Sequence, residues 1–313
     1  MQIGFNLPNS GPFSKVNEMT RLAVEGEAMG FDYLTLTDHV VLPDTKVPGY
    51  PYSESGAFYE EAPLERHEQL VGMAWIAAKT SRIRLVAAVL VVPHRPAVLA
   101  AKMLSTLDVL SGGRLVVGIG AGWLKSEFDA VVTTPFADRG KVTDEYIDAF
   151  RVLWSEARPR FAGKYVKFDG IVLEPKPVQQ PVPIWVGGEG MNAIRRAARV
   201  AEAWYPIGSN NQHLLDTLPR LESGIARLRQ SAAEAGRDVG VSFRVKRYGA
   251  AVPSKANNGE RRLFSGSEAD LIADLRALKK MGVGAIDIDF GRPTADAMLA
   301  EMKRFRAAVI EKI

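Results

Sequence analysis

The 313-residue chain contains no cysteine. That excludes disulfides, thiolate catalysis and thiolate metal sites, and it leaves the redox compartment unspecified. Histidine is almost as scarce, with His39, His67, His94 and His213 as the full set of four. None stands in a His-x-x-x-His or His/Glu ligand spacing, so no metal centre is expected. Long apolar runs are missing too: Val86–Val92 is far shorter than the roughly 20 residues of a membrane-spanning helix. Nor does one charge sign dominate, since 40 basic residues are interspersed with 36 acidic ones for a formal net charge of +4. The pairs Arg195-Arg196, Arg261-Arg262 and Lys279-Lys280 are short, and most lie in helical patterns. A nucleic-acid stripe is therefore not expected, whereas a mildly basic surface suits an anionic small molecule. The N-terminus runs into a strand with no basic segment ahead of an apolar one, so a cytoplasmic protein is expected.

What is present is alternation. Hydrophobic residues make up 47% of the chain, and short β-rich segments take turns with longer amphipathic ones. Strands are expected at Gln2–Leu7, Tyr33–Thr37, Arg84–Val91, Leu115–Ile119, Ile184–Val186, Ala203–Tyr205, Phe243–Val252 and Ala285–Phe290. Helices are expected at Val16–Met29, Glu65–Lys79, Ala97–Leu110, Gly140–Ser155, Met191–Ala201, Leu214–Ala235, Glu268–Met281 and Thr294–Ile310. Each strand is followed by a helix, which predicts an α/β fold, the (β/α)8 TIM barrel, for which about 250 residues is usual. The surplus of roughly 60 residues over that usual size is assigned to insertions. Val40–Leu64 follows the second strand, Pro159–Pro183 precedes the fifth, and Pro253–Gly266 follows the seventh as a candidate lid. An open doubly wound sheet is the rival. It is disfavoured because an eighth strand with a terminal helix closes a barrel, and Pro8-Asn-Ser-Gly-Pro12 replaces the Gly-x-Gly-x-x-Gly that would follow its first strand.

Several strand ends carry chemistry-bearing residues. The fourth breaks into Gly118, Gly120 and Gly122, followed by Trp123, Glu127 and Phe128. Glycine permits close backbone approach, and Trp123 is a candidate pocket wall. Glu127 serves a turn donor, a ligand polar group, or the first turn of a helix. Thr37-Asp38-His39 ends the second strand, on the face where barrels do chemistry. His39 beside Asp38 is a candidate acid or base tuned by a neighbour; otherwise Asp38 caps the loop and His39 packs beneath it. In the third strand, the small Ala87 and Ala88 admit a flat ring or simply alternate in the core. Arg139, in Phe136-Ala-Asp-Arg-Gly140, is placed to reach a phosphate or to pair with Asp144 or Glu145. Gly187, Gly188 and Gly190 form a glycine turn ahead of a helix, a natural anion site that lacks the Gly-Lys-Ser/Thr of nucleotide triphosphate loops. Phe290-Gly-Arg-Pro293 is another phosphate position. His67 and His213 read as surface or capping residues, and His94 as a loop shaper between prolines.

Taken in order, these motifs resemble the bacterial luciferase-like family of flavin- or deazaflavin-dependent oxidoreductases. The likeness rests on Ile3-Gly-Phe5, Gly30-Phe-Asp-Tyr33 running to Asp38-His39, Arg82-Ile-Arg-Leu85, Ser111-Gly-Gly-Arg-Leu115, Gly118 to Phe128, Phe136 to Gly140, Pro183-Ile-Trp-Val-Gly-Gly188 and Gly282-Val-Gly-Ala285. It covers nearly the whole chain, implying one domain over 1–313, and is nearest to the branch dependent on coenzyme F420. It implies that Asp38-His39 meets the reacting face of the ring, with His39 as proton donor or acceptor. It implies a non-proline cis peptide bulge at Ala88-Val89 supporting the ring. Gly120, Gly122 and Trp123 are implied to line the ring and ribityl chain, and Gly187-Gly188 with Arg139 to hold the phosphate. Trp123 stands where some sugar-phosphate dehydrogenases of the family use a Glu, and Ala88 offers no hydroxyl where some relatives have Ser or Thr. The family is often dimeric, a point on which the sequence itself is silent.

The function expected from this resemblance is hydride transfer between F420 and a small organic molecule. Trp123 and the inserted Tyr50, Tyr52, Phe58 and Tyr59 point to an apolar or planar substrate, and Lys255, Arg261 and Arg262 to an exit for the anionic F420 tail. The alternatives are an FMN-dependent monooxygenase using reduced flavin and oxygen, and a non-catalytic flavin-binding protein. No nucleic-acid or membrane partner is expected.

Overall fold

The computed structural model describes residues 1–44, 47–53, 56, 58 and 65–313. Ten strands occur among them: β1 (Gln2–Asn6), β2 (Tyr33–Leu36), β3 (Arg84–Val91), β4 (Leu115–Gly120), β5 (Phe161–Ala162), β6 (Lys167–Phe168), β7 (Ile184–Gly187), β8 (Ala203–Tyr205), β9 (Gly240–Val245) and β10 (Val283–Ile288). All but β5 and β6 close into a parallel barrel in the order β1-β10-β9-β8-β7-β4-β3-β2. The helices are α1 (Val16–Ala28), α2 (Gln69–Ala77), α3 (Ala97–Ser111), α4 (Lys125–Val131), α5 (Arg139–Ser155), α6 (Met191–Val200), α7 (Leu218–Glu234), α8 (Glu268–Lys280) and α9 (Ala295–Ala308). The chain is thus the expected TIM barrel.

Strand alternation sorts the core into two layers. Leu85, Ala87, Leu115, Val117 and Val186 belong to the large apolar cluster shared with the helices. Val86, Ala88, Val116, Trp185 and Tyr205 form a separate cluster with Tyr33 inside the barrel. There Trp185 meets Tyr33 and Tyr205 at centroid distances of 5.6 Å each. Polar groups share this interior: Tyr205 donates to Asp287 Oδ1 at 2.7 Å, and Arg244 Nη2 donates to Asn6 Oδ1 at 2.7 Å. Burial pushes the Asp287 carboxyl up to about 6.

The elements differ most from expectation in four places. The predicted strand Phe243–Val252 is β9, Gly240–Val245; beyond it the chain turns off the barrel at Gly249, whose φ is +68° and which bridges to Ser265. The predicted helix Glu65–Lys79 begins only at Gln69, because Glu68 caps it by accepting from Val71 N at 2.7 Å. The seven-residue α4 and the hairpin β5–β6, closed by stacked Phe161 and Phe168, are additional. The predicted helix Leu214–Ala235 begins at Leu218, behind a Thr217 cap.

Candidate active site

A cleft of about 850 Å³ opens at the C-terminal ends of the barrel strands. Its floor is a bulge in β3, where the register with β4 shifts between Ala87 and Leu90 and the Ala88-Val89 peptide is cis. The missing side chains of β4 and β7 make room for it. A Cβ at Gly118 would lie 2.0 Å from the Ala87 carbonyl oxygen, and one at Gly120 2.6 Å from Val89 Cγ2. One at Gly187 would lie 2.8 Å from Val89 Cγ1. Ala88 and Val89 line the cleft. Ala87, expected to face the cofactor, points the opposite way by strand alternation and packs in the helix-side core.

Two carboxylates fix the end of β2 through partners distant in sequence. Asp38 is buried and accepts from Val91 N at 3.0 Å and from Nη1 and Nη2 of Arg95 at 2.8 Å each. It ties β2 to the end of β3 and is spent there, so it is not the partner of its neighbour His39. That partner is Glu127, whose Oε2 lies 2.7 Å from His39 Nδ1. Glu127 Oε1 accepts from Val40 N at 2.6 Å and Val41 N at 3.3 Å. Glu127 is 2% exposed and stands behind the cleft wall, not among the residues that line it. A carboxylate only accepts, so Nδ1 of His39 carries the proton and Nε2 is the nitrogen left for a ligand. His94 lies buried behind the dyad, 4.0 Å from Glu127, and burial holds its imidazole below the usual range.

One wall of the cleft is aromatic. Trp123 follows Gly122, whose φ is +86°, and its ring lies 5.0 Å from Tyr50 and 5.1 Å from Phe58. His39 meets Phe58 at 4.9 Å, so the imidazole adjoins this wall. Tyr52 extends the wall at 5.6 Å from Tyr50; Tyr59 lies outside the described residues. Arg139 lines the cleft, and the alternative pairing to Asp144 or Glu145 is not formed among the described residues. It donates to Gly122 O at 3.0 Å and stacks at 4.0 Å on Phe136, which steadies the glycine turn.

At the far end, Gly187-Gly188-Glu189-Gly190 leads into α6, with Gly188 at φ +102°. Gly190 is the N-cap residue and brings no side chain to the first-turn amides. A Cβ at Gly188 would press on Ala193 at 3.1 Å, and one at Gly190 on His213 at 3.2 Å, so the turn is a bare backbone cradle suited to an anion. His213 sits here in the loop before α7 rather than opening the helix. Lys141, Arg195, Arg196 and Arg199 line the continuing cleft against Asp144. By contrast, Arg261 pairs with Asp274, Arg262 with Asp216 and Arg292 with Glu301, and none of the three lines the cleft.

Sequence reasoning missed Glu189, Arg244 and Lys246, which also line the cleft. Glu189 folds inward to accept from Ile207 N at 2.7 Å, from Asn210 Nδ2 and from the Tyr52 hydroxyl. Its burial pushes the carboxyl up to about 7. A Glu inside a glycine turn was the available signal. The described residues contain no cluster of three His, Asp or Glu fit for a metal, and no helix long and apolar enough to cross a membrane.

With this geometry in hand, comparison with known proteins gives three kinds of match. The family model for luciferase-like monooxygenases matches residues 1–283. An uncharacterized protein of Mycobacterium tuberculosis is 34% identical over 215 residues, covering 68% of this chain and 72% of that protein. The FMNH(2)-dependent dimethylsulfone monooxygenase of Pseudomonas fluorescens is 36% identical over 148 residues, 47% of this chain and 40% of that one. Among solved structures, an F420-dependent secondary alcohol dehydrogenase in complex with an F420-acetone adduct superposes with a TM-score of 0.75 at 18% identity, covering 98% of both chains. At that identity the likeness is one of fold.

Proposed function

The chain belongs to the luciferase-like monooxygenase family, and from that premise we propose that it is an oxidoreductase moving a hydride between coenzyme F420 and a small organic substrate. The observation that carries the choice of cofactor is the basic continuation of the cleft beyond the glycine turn, where Lys141, Arg195, Arg196 and Arg199 gather and Asp138, Asp144 and Asp148 pair with all but Arg195 among the described residues. FMN ends at its phosphate, whereas F420 continues into an anionic lactyl-glutamyl tail that such a surface favours. In this reading the bulge at Ala88-Val89 supports the ring, and Gly120, Gly122 and Trp123 flank it. Gly187, Gly188 and Gly190 hold the phosphate through backbone amides.

When bound, the deazaflavin supplies or accepts the hydride. The protein's part is orientation and proton handling. His39, fixed by Glu127, offers Nε2 to the substrate oxygen and gives or takes the matching proton there. Trp123, Tyr50 and Phe58 press an apolar or planar substrate against the ring and exclude water. Asp38 keeps the end of β2 in register with β3 through Arg95, which sets where His39 stands. The FMN-dependent monooxygenase reading draws its support from the Pseudomonas relative; it uses the same ring pocket and leaves the basic continuation without an occupant.

Parallel titrations of the cofactor-free protein with oxidised F420 and FMN separate the two. F420 binding at least tenfold tighter than FMN is the expected result. The reverse order, with a yellow holoprotein and oxygen uptake, moves the protein to the oxygen-using branch. His39→Ala is expected to lower turnover by about 10²-fold or more while melting temperature and cofactor affinity stay near wild type. Normal turnover in that variant would remove His39 from the mechanism.

A further inference from the structure

A second cavity, of about 340 Å³, lies beside the cleft under the loop that follows β9. That size falls at the lower end of the roughly 300–1,000 Å³ typical of small-molecule sites. Tyr52, Arg244 and Lys246 line both spaces, so these three residues form the partition between them. Behind the partition the walls are largely apolar. Phe243 and Phe264 stack there with centroids 6.3 Å apart and planes inclined by 20°, and Leu214, Leu215 and Val252 add aliphatic surface.

The charge of this cavity is one-sided. Arg244, Lys246, Arg247 and Arg262 line it, against Asp216 as the one carboxylate among the described lining residues. Asp216 is already engaged by Arg220 at 2.6 Å and Arg262 at 3.4 Å. Arg244 is held by Asn6 and faces Asp287 at 3.8 Å. Lys246 is different. Its ammonium donates to the Tyr52 carbonyl at 2.8 Å and lies 4.8 Å above the Tyr50 ring, with no ion pair to a described carboxylate. Tyr50 in turn touches Phe58, and Phe58 touches His39, at centroid distances of 5.1 and 4.9 Å. The cation therefore stands at the neck between an apolar chamber and the aromatic wall of the cleft. A half-buried cation with no ion pair among the described residues, bordering apolar wall, is the arrangement that recognises an amphipathic anion.

We propose that the substrate is an organic carboxylate whose apolar aryl or alkyl body fills this second cavity, with its carboxylate on Lys246 and the adjoining carbons presented to the cleft. Lys246 is then a specificity-determining residue. The assignment rests on the redox reading of the cleft, because that reading makes the cleft the place of reaction.

The test is calorimetric titration of the full-length protein with sodium 4-phenylbutyrate and, separately, with 4-phenylbutan-1-ol, with and without saturating F420 or FMN. Phenylbutyrate is expected to bind at least tenfold tighter than the alcohol. Lys246→Met should erase that difference, and Lys246→Arg should retain most of it. Val252→Trp, which fills the chamber from its loop, should weaken both ligands at least tenfold. Melting temperatures identify any variant that fails to fold, and the comparison of the two ligands on wild-type protein needs no variant. Equal affinities for acid and alcohol, or an unchanged preference in Lys246→Met, would overturn the anion assignment. Undiminished binding to Val252→Trp would overturn the chamber. If cofactor binding is intact when these results appear, the inference alone fails. If neither F420 nor FMN binds, the redox reading fails, and ligand binding then reports on the cavity by itself.

Discussion

Glu127 holds His39 by one carboxylate oxygen and the backbone that follows His39 by the other. Charge and geometry are therefore separable by substitution. Glu127→Gln keeps an oxygen for Val40 N but turns an amide N–H toward Nδ1, which favours the tautomer with the proton on Nε2. The expected result is a fall in kcat of about 10²-fold or more, a changed pH profile, and cofactor affinity within about threefold of wild type. Loss of cofactor binding in step with kcat would instead mean that Glu127 merely supports the fold. Glu189 supplies a second residue-scale prediction. Its carboxyl is raised to about 7 by burial, against about 4.3 in an unfolded chain. Between those values the folded state binds more protons than the unfolded state, so stability falls as pH rises through the window and stays low above it. The wild-type melting temperature should drop on going from pH 5 to pH 8, and Glu189→Gln should remove a drop of about 5 °C. A residual decline is expected from Asp287, raised in the same sense to about 6. Identical curves for wild type and variant would show that Glu189 does not titrate in that range.

At the scale of elements, β3 and β4 fit together only because β4 lacks side chains where β3 bulges. Gly118→Ala would place its Cβ 2.0 Å from the backbone oxygen of Ala87, which has nowhere to move, whereas Gly120→Ala meets only the Val89 side chain at 2.6 Å. Overpacking of this kind costs about 1–3 kcal/mol. Gly118→Ala should lie at or beyond the upper end and Gly120→Ala near the lower. Val89→Ala should rescue the second and not the first, and a double-mutant cycle on thermal or urea unfolding measures the difference. These glycines were legible as places of close approach, and the partner the structure shows approaching them is the neighbouring strand β3. The strands themselves were readable because each is a short apolar run ended by a break, and Arg84–Val91 and Ala203–Tyr205 match at both ends. The seventh predicted strand overran because Tyr248 and Val252 continue the apolar signal after the chain has left the barrel at Gly249. The helix α4 was hidden because only seven residues follow a glycine-rich stretch that reads as loop.

Across the whole molecule, barrel closure creates contacts that adjacency in the chain cannot suggest. His39 and Glu127 are 88 residues apart, Asp38 and Arg95 57, and Tyr52 and Glu189 137. Asp38 and His39 looked like a pair because they are consecutive, yet consecutive residues leaving a strand point to opposite sides. The positions of the candidate site were thus readable from strand ends, while the pairings had to await the closed ring. The same closure gathers charge. A net +4 spread over the chain is unremarkable, but the cleft concentrates Lys141, Arg195, Arg196 and Arg199 beyond the glycine turn, with Asp138, Asp144 and Asp148 partly offsetting them through Lys141, Arg196 and Arg199. Such a field acts on exposed charges within a Debye length of about 10 Å at 0.1 M salt and fades as salt rises. In the proposed reading it would act on the anionic tail of F420 and hardly on FMN, whose phosphate would sit in the backbone cradle. Raising NaCl from about 50 to 500 mM, a range that shortens the Debye length severalfold, should therefore weaken F420 binding at least several-fold more than FMN binding. Arg195→Glu, on an exposed position of α6, should weaken F420 in the same way at low salt and flatten its salt dependence, with FMN affinity unchanged. Parallel salt slopes for the two cofactors would place the F420 tail elsewhere and remove the main physical reason for preferring a deazaflavin to a flavin.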